Sequence, residues 1–547
     1  MKKRSANPKE SQERSAFIRF LERVPLYPFL VAIYPVVYLL SENISEIGPI
    51  AGLRSALLFL LLAVLFYSFS LLLSRDSSRS GLMTLFAVLA FFLVFFVVYA
   101  PAYRFLREVT ILEIMFGRHR YLLIFTIVIL LTVLFSTLIL TRRLSPGSIR
   151  SITLAVNCST LLLLLIPTIT IISNQVKLAR SVSPADVDLP PIEQSLVSAS
   201  QTQPDVYYII LDMLTSDNAL ARLLDYDDPS FTVSLQQMGF YVPKCSRSNY
   251  PKTQLSITSS LNMDYIQSLS KSTDTSSLYP LMLNNRVRRS LEAAGYQTIA
   301  FETGYSYTEL KDADRYLQTI SSVWDWLLFP GVTPFESLIL DISGGKILYE
   351  TKDSLSRQMQ VMIDASYLQY RQRILFELHS LADLPSEPGP KFIFAHILAP
   401  HSPFVFDANG GFLFRRTPFS LNSDKEYDWN SFKLAYVNEL IYLRKVVLDL
   451  VQKIIAESES PPVIIIQGDH GIPWPAAEKA QFDIFNAYYL AGGSASGLYD
   501  EISPVNSFRV VFNDLFGTEY DLLSDQSFLY DKDYGSMTLF TDSIPCP

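Results

Sequence analysis

The sequence predicts a two-part chain, a bundle of about five transmembrane helices followed by an α/β domain with a mainly parallel central sheet. Three observations predict it. Five long apolar runs fall within the first 173 residues. After Pro204, short apolar runs of strand length alternate with segments of helical periodicity. One of these runs, Val463-Ile464-Ile465-Ile466-Gln467, is uninterrupted and stops abruptly in Gly468-Asp469-His470-Gly471. Such a run, bounded by Pro461-Pro462 and by glycine, is the pattern of a strand buried on both faces, as parallel strands are.

Composition supports the division. A chain of 547 residues exceeds one ordinary domain. With 49% hydrophobic residues and a mean hydropathy of +0.23, part of it belongs in lipid. The net charge of −8 argues against a nucleic-acid partner. Three cysteines, Cys158, Cys245 and Cys546, are too few and too scattered for a zinc ribbon or a disulfide scaffold. Cys158 lies in an apolar run, which leaves Cys245 and Cys546 as the pair able to bridge outside the membrane, and nothing in the sequence brings those two together.

Residues 1–24 form a basic tail that includes Lys2, Lys3, Arg4, Lys9, Arg14, Arg19 and Arg23. The membrane region, 25–173, holds apolar runs near 26–40, 55–73, 82–100, 121–140 and 151–173. A span needs roughly 20 apolar residues, which the last four supply. The first is short and carries Pro28 and Pro35, so it reads as a kinked span or one that continues past Leu40. No small-residue cleavage site follows it, which disfavours a signal peptide. With five spans, the basic tail, Arg75 with Arg79, and Arg142, Arg143 and Arg150 share one side, which the positive-inside rule makes cytoplasmic. The rest of the chain is then extracytoplasmic, on a multi-pass protein of the cell (inner) membrane. The loop 101–120 carries Arg104, Arg107, Arg118 and Arg120 among Leu106, Ile111, Leu112, Ile114 and Met115, and reads as an amphipathic helix on the outer leaflet.

Residues 174–203, with Ser183-Pro184 and Leu189-Pro190-Pro191, read as a linker into the domain 204–547. There, Val206 to Leu211 is a strand ending in Asp212. Gln297 to Phe301 is a second, preceded by the helical stretch Arg286 to Ala294. Lys391 to Ile397 and Val463 to Gln467 are a third and fourth, and Ala487 to Ala491 a fifth. Between the third and fourth, Phe432 to Ala456 places Leu434, Val437, Leu440, Ile441, Val447, Leu448, Val451 and Ile455 on a helical face. Strands alternating with helices imply a mainly parallel sheet covered on both sides.

Three of the four main strands end near metal-ligand types: Asp212, the His396 to His401 segment, and Asp469-His470. Ligands of open α/β sheets bind beyond the carboxyl ends of the strands. Oxygen and nitrogen ligands placed there together suit a divalent cation. The plainer readings are an Asp469 that caps the next helix beside a bystander His470, and a His396 that is a core residue of its strand. Asn249 to Asn262 has the character of a loop entering a helix, with Pro251 in its first turn. A hydroxyl there faces the positive end of the helix dipole, although a Ser/Thr-rich cap is the commoner explanation of such a stretch.

Taken in order, the strand with Asp212, the Thr-bearing helix start, His401-Ser402-Pro403-Phe404 and Gly468-Asp469-His470-Gly471 resemble the sulfatase-like branch of the alkaline phosphatase superfamily. Five spans before such a domain most resemble the lipoteichoic acid synthase and phosphoethanolamine transferase group. The resemblance covers the soluble domain by motif order and the membrane half by architecture only. It implies that Asp212, Thr253, Asp469 and His470 hold one divalent metal ion, with manganese, zinc and magnesium all admissible. It further implies that Thr253 is the nucleophile, and that His401 and His396 contact the phosphoryl group or protonate the leaving group. The residue types suit that chemistry, because a threonine hydroxyl is a weak nucleophile that metal coordination activates, and the same cation balances charge on the transferring group.

Two departures narrow the resemblance. Cys245 is followed by Arg247 and Asn249, so the formylglycine motif of sulfatases is absent, and Met213 stands where sulfatases carry a second aspartate. Both favour a one-metal phosphotransferase or phosphodiesterase over a sulfate esterase. The implied activity moves a phospholipid head group from a membrane lipid donor to an envelope glycan or lipid acceptor. The alternatives are an extracytoplasmic phosphate- or sulfate-ester hydrolase, and a catalytically inactive sulfatase-like protein that binds envelope components.

Overall fold

Among the described residues, six α-helices open the chain in the computed structural model: α1 (Pro8–Arg23), α2 (Tyr27–Glu42), α3 (Leu53–Ser74), α4 (Ser77–Phe92), α5 (His119–Arg143) and α6 (Pro146–Ser181). The structure describes residues 8–44, 47–99, 110–111, 114–115, 119–181, 203–273, 275–319, 327–421, 427–473, 480–490, 497–531 and 536–540. The chain divides into two compact units. One is Met1–Asn174 with Val323–Ala365 and Arg415–Pro418; the other is Gln175–Ser322 with Ser366–Phe414 and Phe419–Pro547. Val323–Ala365 and Arg415–Pro418, which the sequence places in the soluble domain, therefore group with the apolar helices.

Among the described residues, four segments are long and apolar enough to cross a membrane: Pro49–Ser74, Ser77–Val98, Leu122–Arg143 and Pro146–Val176. The fifth candidate is the pair Ala16–Arg23 and Tyr27–Glu42, which meet at 86°. That bend explains why the first apolar run is short. Asn157, buried on α6, holds it together. Its side-chain oxygen accepts from the N–H groups of Leu26 and Tyr27, both at 2.9 Å, and its amide donates to Leu21 O and Val24 O, both at 2.8 Å. Backbone groups left over at two abutting helix ends are thereby paired inside an apolar bundle.

The amphipathic helix expected over 101–120 does not form at its described positions. Thr110 and Ile111 pair antiparallel with Met115 and Ile114 in a short ladder. β-Branched Thr110, Ile111 and Ile114 lose side-chain freedom in a helix and suit a strand. The rest of that loop lies outside the described residues. The expected linker begins as helix, because α6 runs to Ser181.

The second unit is built on six strands: β1 (Val206–Leu211), β2 (Gln297–Phe301), β3 (Arg315–Leu317), β4 (Lys391–Ile397), β5 (Val463–Gln467) and β6 (Asn486–Tyr489). Their order is β3-β2-β4-β1-β5-β6. All neighbours are parallel except β5 and β6. Every residue of β1, β4 and β5 is buried, which is why apolar residues dominate all three. The register sets Ile210 beside both His396 and Gln467, so the carboxyl ends of β1, β4 and β5 finish at one level. The short edge strand β3 carries no run of its own and was not legible in the sequence.

The helix Trp429–Glu457 forms where its periodicity places it, and it buries Leu440, Val447 and Val451 of the expected face within a stripe shifted around the helix. Phe432, Tyr436, Glu439, Leu440, Leu443 and Val447 face inward, while Leu434 is 66% exposed and Ile441 also meets solvent. Cys245 is disulfide-bonded and Cys158 is free; Cys546 lies outside the described residues.

Candidate metal centre

Asp212 follows β1 directly, its N–H donating to Ile397 O of the neighbouring strand at 2.9 Å. The next residue, Met213, sits at φ 66°, in the left-handed region that side chains other than glycine rarely occupy. That turn aims the Met213 N–H at Asp469 Oδ1, 3.0 Å away. Tyr436, from the long helix, locks the same turn. Its hydroxyl donates to Met213 O at 2.8 Å and accepts from the Thr215 N–H at 3.3 Å.

Asp469 and His470 leave β5 through two glycines that close approach requires. A Cβ on Gly468 would fall 2.1 Å from Leu214 O, and one on Gly471 2.0 Å from Ala480 O. His470 places Nδ1 2.7 Å from Gly471 O, and His401 repeats the device with Nδ1 2.6 Å from Ser402 O. A carbonyl can only accept, so in both rings Nδ1 is the donor to it, and Nε2 is the ring atom on the opposite side. His470 Nε2 lies 3.7 Å from Asp212 Oδ1 and 3.7 Å from Asp469 Oδ2. The two rings meet edge to face, their centroids 6.4 Å apart.

His396 is a fully buried residue of β4 and at the same time part of the cluster. Its Nδ1 is 2.9 Å from Thr308 Oγ1, and Thr308 Oγ1 lies 3.3 Å from Tyr305 O. With the threonine proton on that carbonyl, Nδ1–H donates to Thr308 and Nε2 faces Asp212 Oδ2 at 3.5 Å. Asp212, His396 and Asp469 each offer one ligand atom, and these lie within 4.8 Å of one another. The family resemblance implies that His396 contacts the phosphoryl group or protonates the leaving group; the geometry sets it beside the carboxylates.

The fit to a cation is visible in the hydrogen bonds. Asp212 Oδ1, Asp469 Oδ2 and His396 Nε2 are buried with no hydrogen-bond partner. Buried polar atoms are normally paired, and three orphaned ones from three adjacent strand ends are what a divalent ion would satisfy. Burial alone would push the Asp212 carboxyl up, but the imidazoles of His401, His396 and His470 outweigh it and hold the group well below the usual carboxylate range.

Thr253 is the first residue of the helix Thr253–Asn262, after Lys252 in extended conformation. One turn on, Ser256 Oγ donates to Asp469 O at 2.6 Å, so the start of this helix is tied to the Asp469 backbone. His401 stands on a loop pinned from behind: Glu439, fully buried, accepts from the N–H groups of Val405 and Phe406 at 2.6 and 3.0 Å.

Thr308, Tyr436 and Glu439 were missed from the sequence. A signal existed for Glu439, a charged residue on the stripe set by Phe432, Tyr436 and Leu443. Thr308 offered none, since the loop after β2 has no pattern that aims it at β4.

No family model matches the chain, and no curated protein matches it. Among solved structures it is similar to the C-terminal periplasmic domain of EptC from Escherichia coli in complex with Zn, at 12% identity and a TM-score of 0.39, over 64% of this chain and 96% of that one. It is similar to the integral membrane lipooligosaccharide phosphoethanolamine transferase A of Neisseria meningitidis, at 13% identity and a TM-score of 0.35, over 92% of this chain and 95% of that one. A 2-O GAG sulfatase matches at 10% identity and a TM-score of 0.35, over 58% of this chain and 72% of its own. Likenesses this distant carry no argument about chemistry. They fall among the phosphoethanolamine transferases and sulfatases, the groups that the motif order of this chain resembles.

Proposed function

We propose that this chain is a membrane-anchored, metal-dependent enzyme of phosphate esters, which transfers a phospholipid head group to an envelope glycan or lipid. The observation that carries the proposal is the convergence of the orphaned Asp212 Oδ1, Asp469 Oδ2 and His396 Nε2 beside a helix that starts at Thr253.

Asp212, Asp469, His396 and His470 would hold one divalent ion, with Thr253 completing the set. When bound, the ion would stabilise negative charge on the phosphoryl group and on the threonine oxygen. The Leu255 and Ser256 N–H groups already donate to Lys252 O, so those of Thr253 and Gln254, at the very start of the helix, are the ones that would meet phosphoryl oxygens. Thr253 Oγ1 would attack phosphorus, forming one P–O bond as the bond to the diacylglycerol oxygen breaks. His401, whose Nδ1 is held by Ser402 O, would take the Thr253 hydroxyl proton on Nε2 and pass it to the leaving diacylglycerol oxygen. An acceptor hydroxyl would then reverse the sequence, returning the Thr253 hydroxyl. The reading includes an extracytoplasmic catalytic domain, following the arginine distribution along the apolar helices.

The test is mass mapping of the full chain after acid quench in nanodiscs that contain head-group-labelled phospholipid. A labelled phosphodiester on Thr253, absent from Thr253→Ala, is expected. Label on another side chain, or turnover that survives Thr253→Ala, would contradict it.

A further inference from the structure

A cavity of about 800 Å³ lies within the unit of apolar helices, between Leu58, Phe91 and Phe95 on one side and Phe329, Leu348 and Met362 on the other. Arg54 ties its two walls together. Its guanidinium donates to Glu336 Oε1 at 2.6 Å and to Phe329 O at 2.7 Å, and also to Glu336 Oε2 and Gly331 O. Glu336 in turn caps the helix Pro334–Asp341, accepting from the Thr333 N–H at 3.0 Å. The Arg54–Glu336 ion pair at the cavity is thus internally satisfied, and what remains of the wall is apolar apart from the Ser55 hydroxyl.

The segment that forms the second wall is apolar on its outside too. Leu328 is 75% exposed, Met359 53% and Met362 51%, with Ile342, Leu348 and Val361 also exposed. Water-facing surfaces rarely gather so many large apolar side chains. Leu57, Leu61 and Leu65 of α3 are exposed in the same way on a helix of spanning length, where acyl chains are the solvent. Leu58 lines the cavity and is itself exposed, so the cavity opens on the lipid-facing side of α3.

We infer that residues 327–363 are seated in the bilayer beside α3, and that the cavity they close with α3 and α4 takes an acyl chain of a membrane lipid. Continuity with the lipid-facing surface of α3 selects the occupant, and the satisfied Arg54–Glu336 pair rules against recognition of a charged head group inside it. An element of this kind lies in the interface plane with its apolar face among the chains. The inference stands apart from the metal chemistry and survives if that reading fails.

The test uses the full chain in phosphatidylcholine nanodiscs, prepared with plain or with acyl-chain-brominated lipid. Bromine quenches tryptophan only at near contact, so each variant is read as the difference from the parent protein. Met362→Trp should lose about half or more of its added fluorescence in brominated lipid. Glu350→Trp, on the charged side of the short helix Ile347–Thr351, should lose little. Equal quenching at the two positions, or none at Met362→Trp, would overturn the inference. The second result is also what a protein segment occupying the cavity would give. Both substitutions are at exposed positions, so folding is not at stake.

Discussion

Met213 and Asp469 join two strand ends directly, the N–H of one donating to the carboxylate of the other at 3.0 Å. The bond uses only Oδ1, and Asp469 Oδ2 is left buried without a partner. One carboxylate thus has a structural half and a half turned to the cluster.

Asp469→Asn separates those halves. Asparagine keeps an oxygen for the Met213 N–H and removes the charge. Outer-shell changes cost roughly 10- to 100-fold in metal affinity, and a lost ligand should exceed that. Metal content by elemental analysis should therefore collapse, with activity, while the metal-free protein melts no lower than the parent. A variant that binds metal like the parent would leave Asp469 as a turn residue only.

Glu439 acts at one remove, through the loop after His401. Glu439→Ala leaves two buried N–H groups, of Val405 and Phe406, without their acceptor, at a cost of about 1–3 kcal/mol each. Metal content should persist while kcat falls by one to two orders of magnitude. Glu439→Gln retains an acceptor and should recover most of that loss. Equal defects in the two variants would show that charge, not loop position, is what Glu439 supplies.

Glu377 should make stability depend on pH. It is fully buried, both its oxygens lack partners, and burial pushes its carboxyl well above the ordinary glutamate value, against the opposing pull of Arg373. A carboxyl whose folded pKa is raised binds more protons folded than unfolded. Its penalty is absent below the unfolded value of about 4.3 and grows by about 1.4 kcal/mol per pH unit above it, up to the folded pKa. Glu377→Gln should then raise Tm at pH 7.5, with the gain fading towards pH 4. A gain independent of pH would contradict this.

Asn157→Leu tests the bend between α1 and α2. It removes the side-chain partner of Leu26 N, Tyr27 N, Leu21 O and Val24 O; Leu26 N and Val24 O keep each other at 3.0 Å, which leaves Tyr27 N and Leu21 O stranded. At about 1–3 kcal/mol per stranded group, the purified variant should melt well below the parent in detergent. An unchanged Tm would mean that the apolar helices hold the bend without it.

Much of the fold was legible because its determinants are local. Apolar runs of spanning length, and strands buried on both faces, announce themselves without knowledge of their neighbours. Asp212, His401, Asp469 and His470 could be singled out as candidates for a related reason, since each stands at or just past the end of such a run. What could not be read depends on partners distant in the chain. His396 looked like strand core and is core, and only the register beside Ile210 sets its Nε2 near Asp212. The grouping of Val323–Ala365 with the apolar helices involves contacts between residues far apart in sequence, Arg54 with Glu336, and Phe335 and Ile339 with Val36 and Leu40. At residues 110, 111, 114 and 115 a strand pair replaces the expected amphipathic helix for the opposite reason, because charge spacing was read ahead of the β-branched residues there.

The most direct test of the metal centre is anomalous diffraction from crystals of the full chain loaded with manganese or zinc, recorded at the absorption edge of the metal. The account predicts one strong peak among the strand ends, about 2.0–2.2 Å from oxygen atoms of Asp212 and Asp469 and from Nε2 of His396 or His470. A peak elsewhere, or none at these residues under saturating metal, would contradict it.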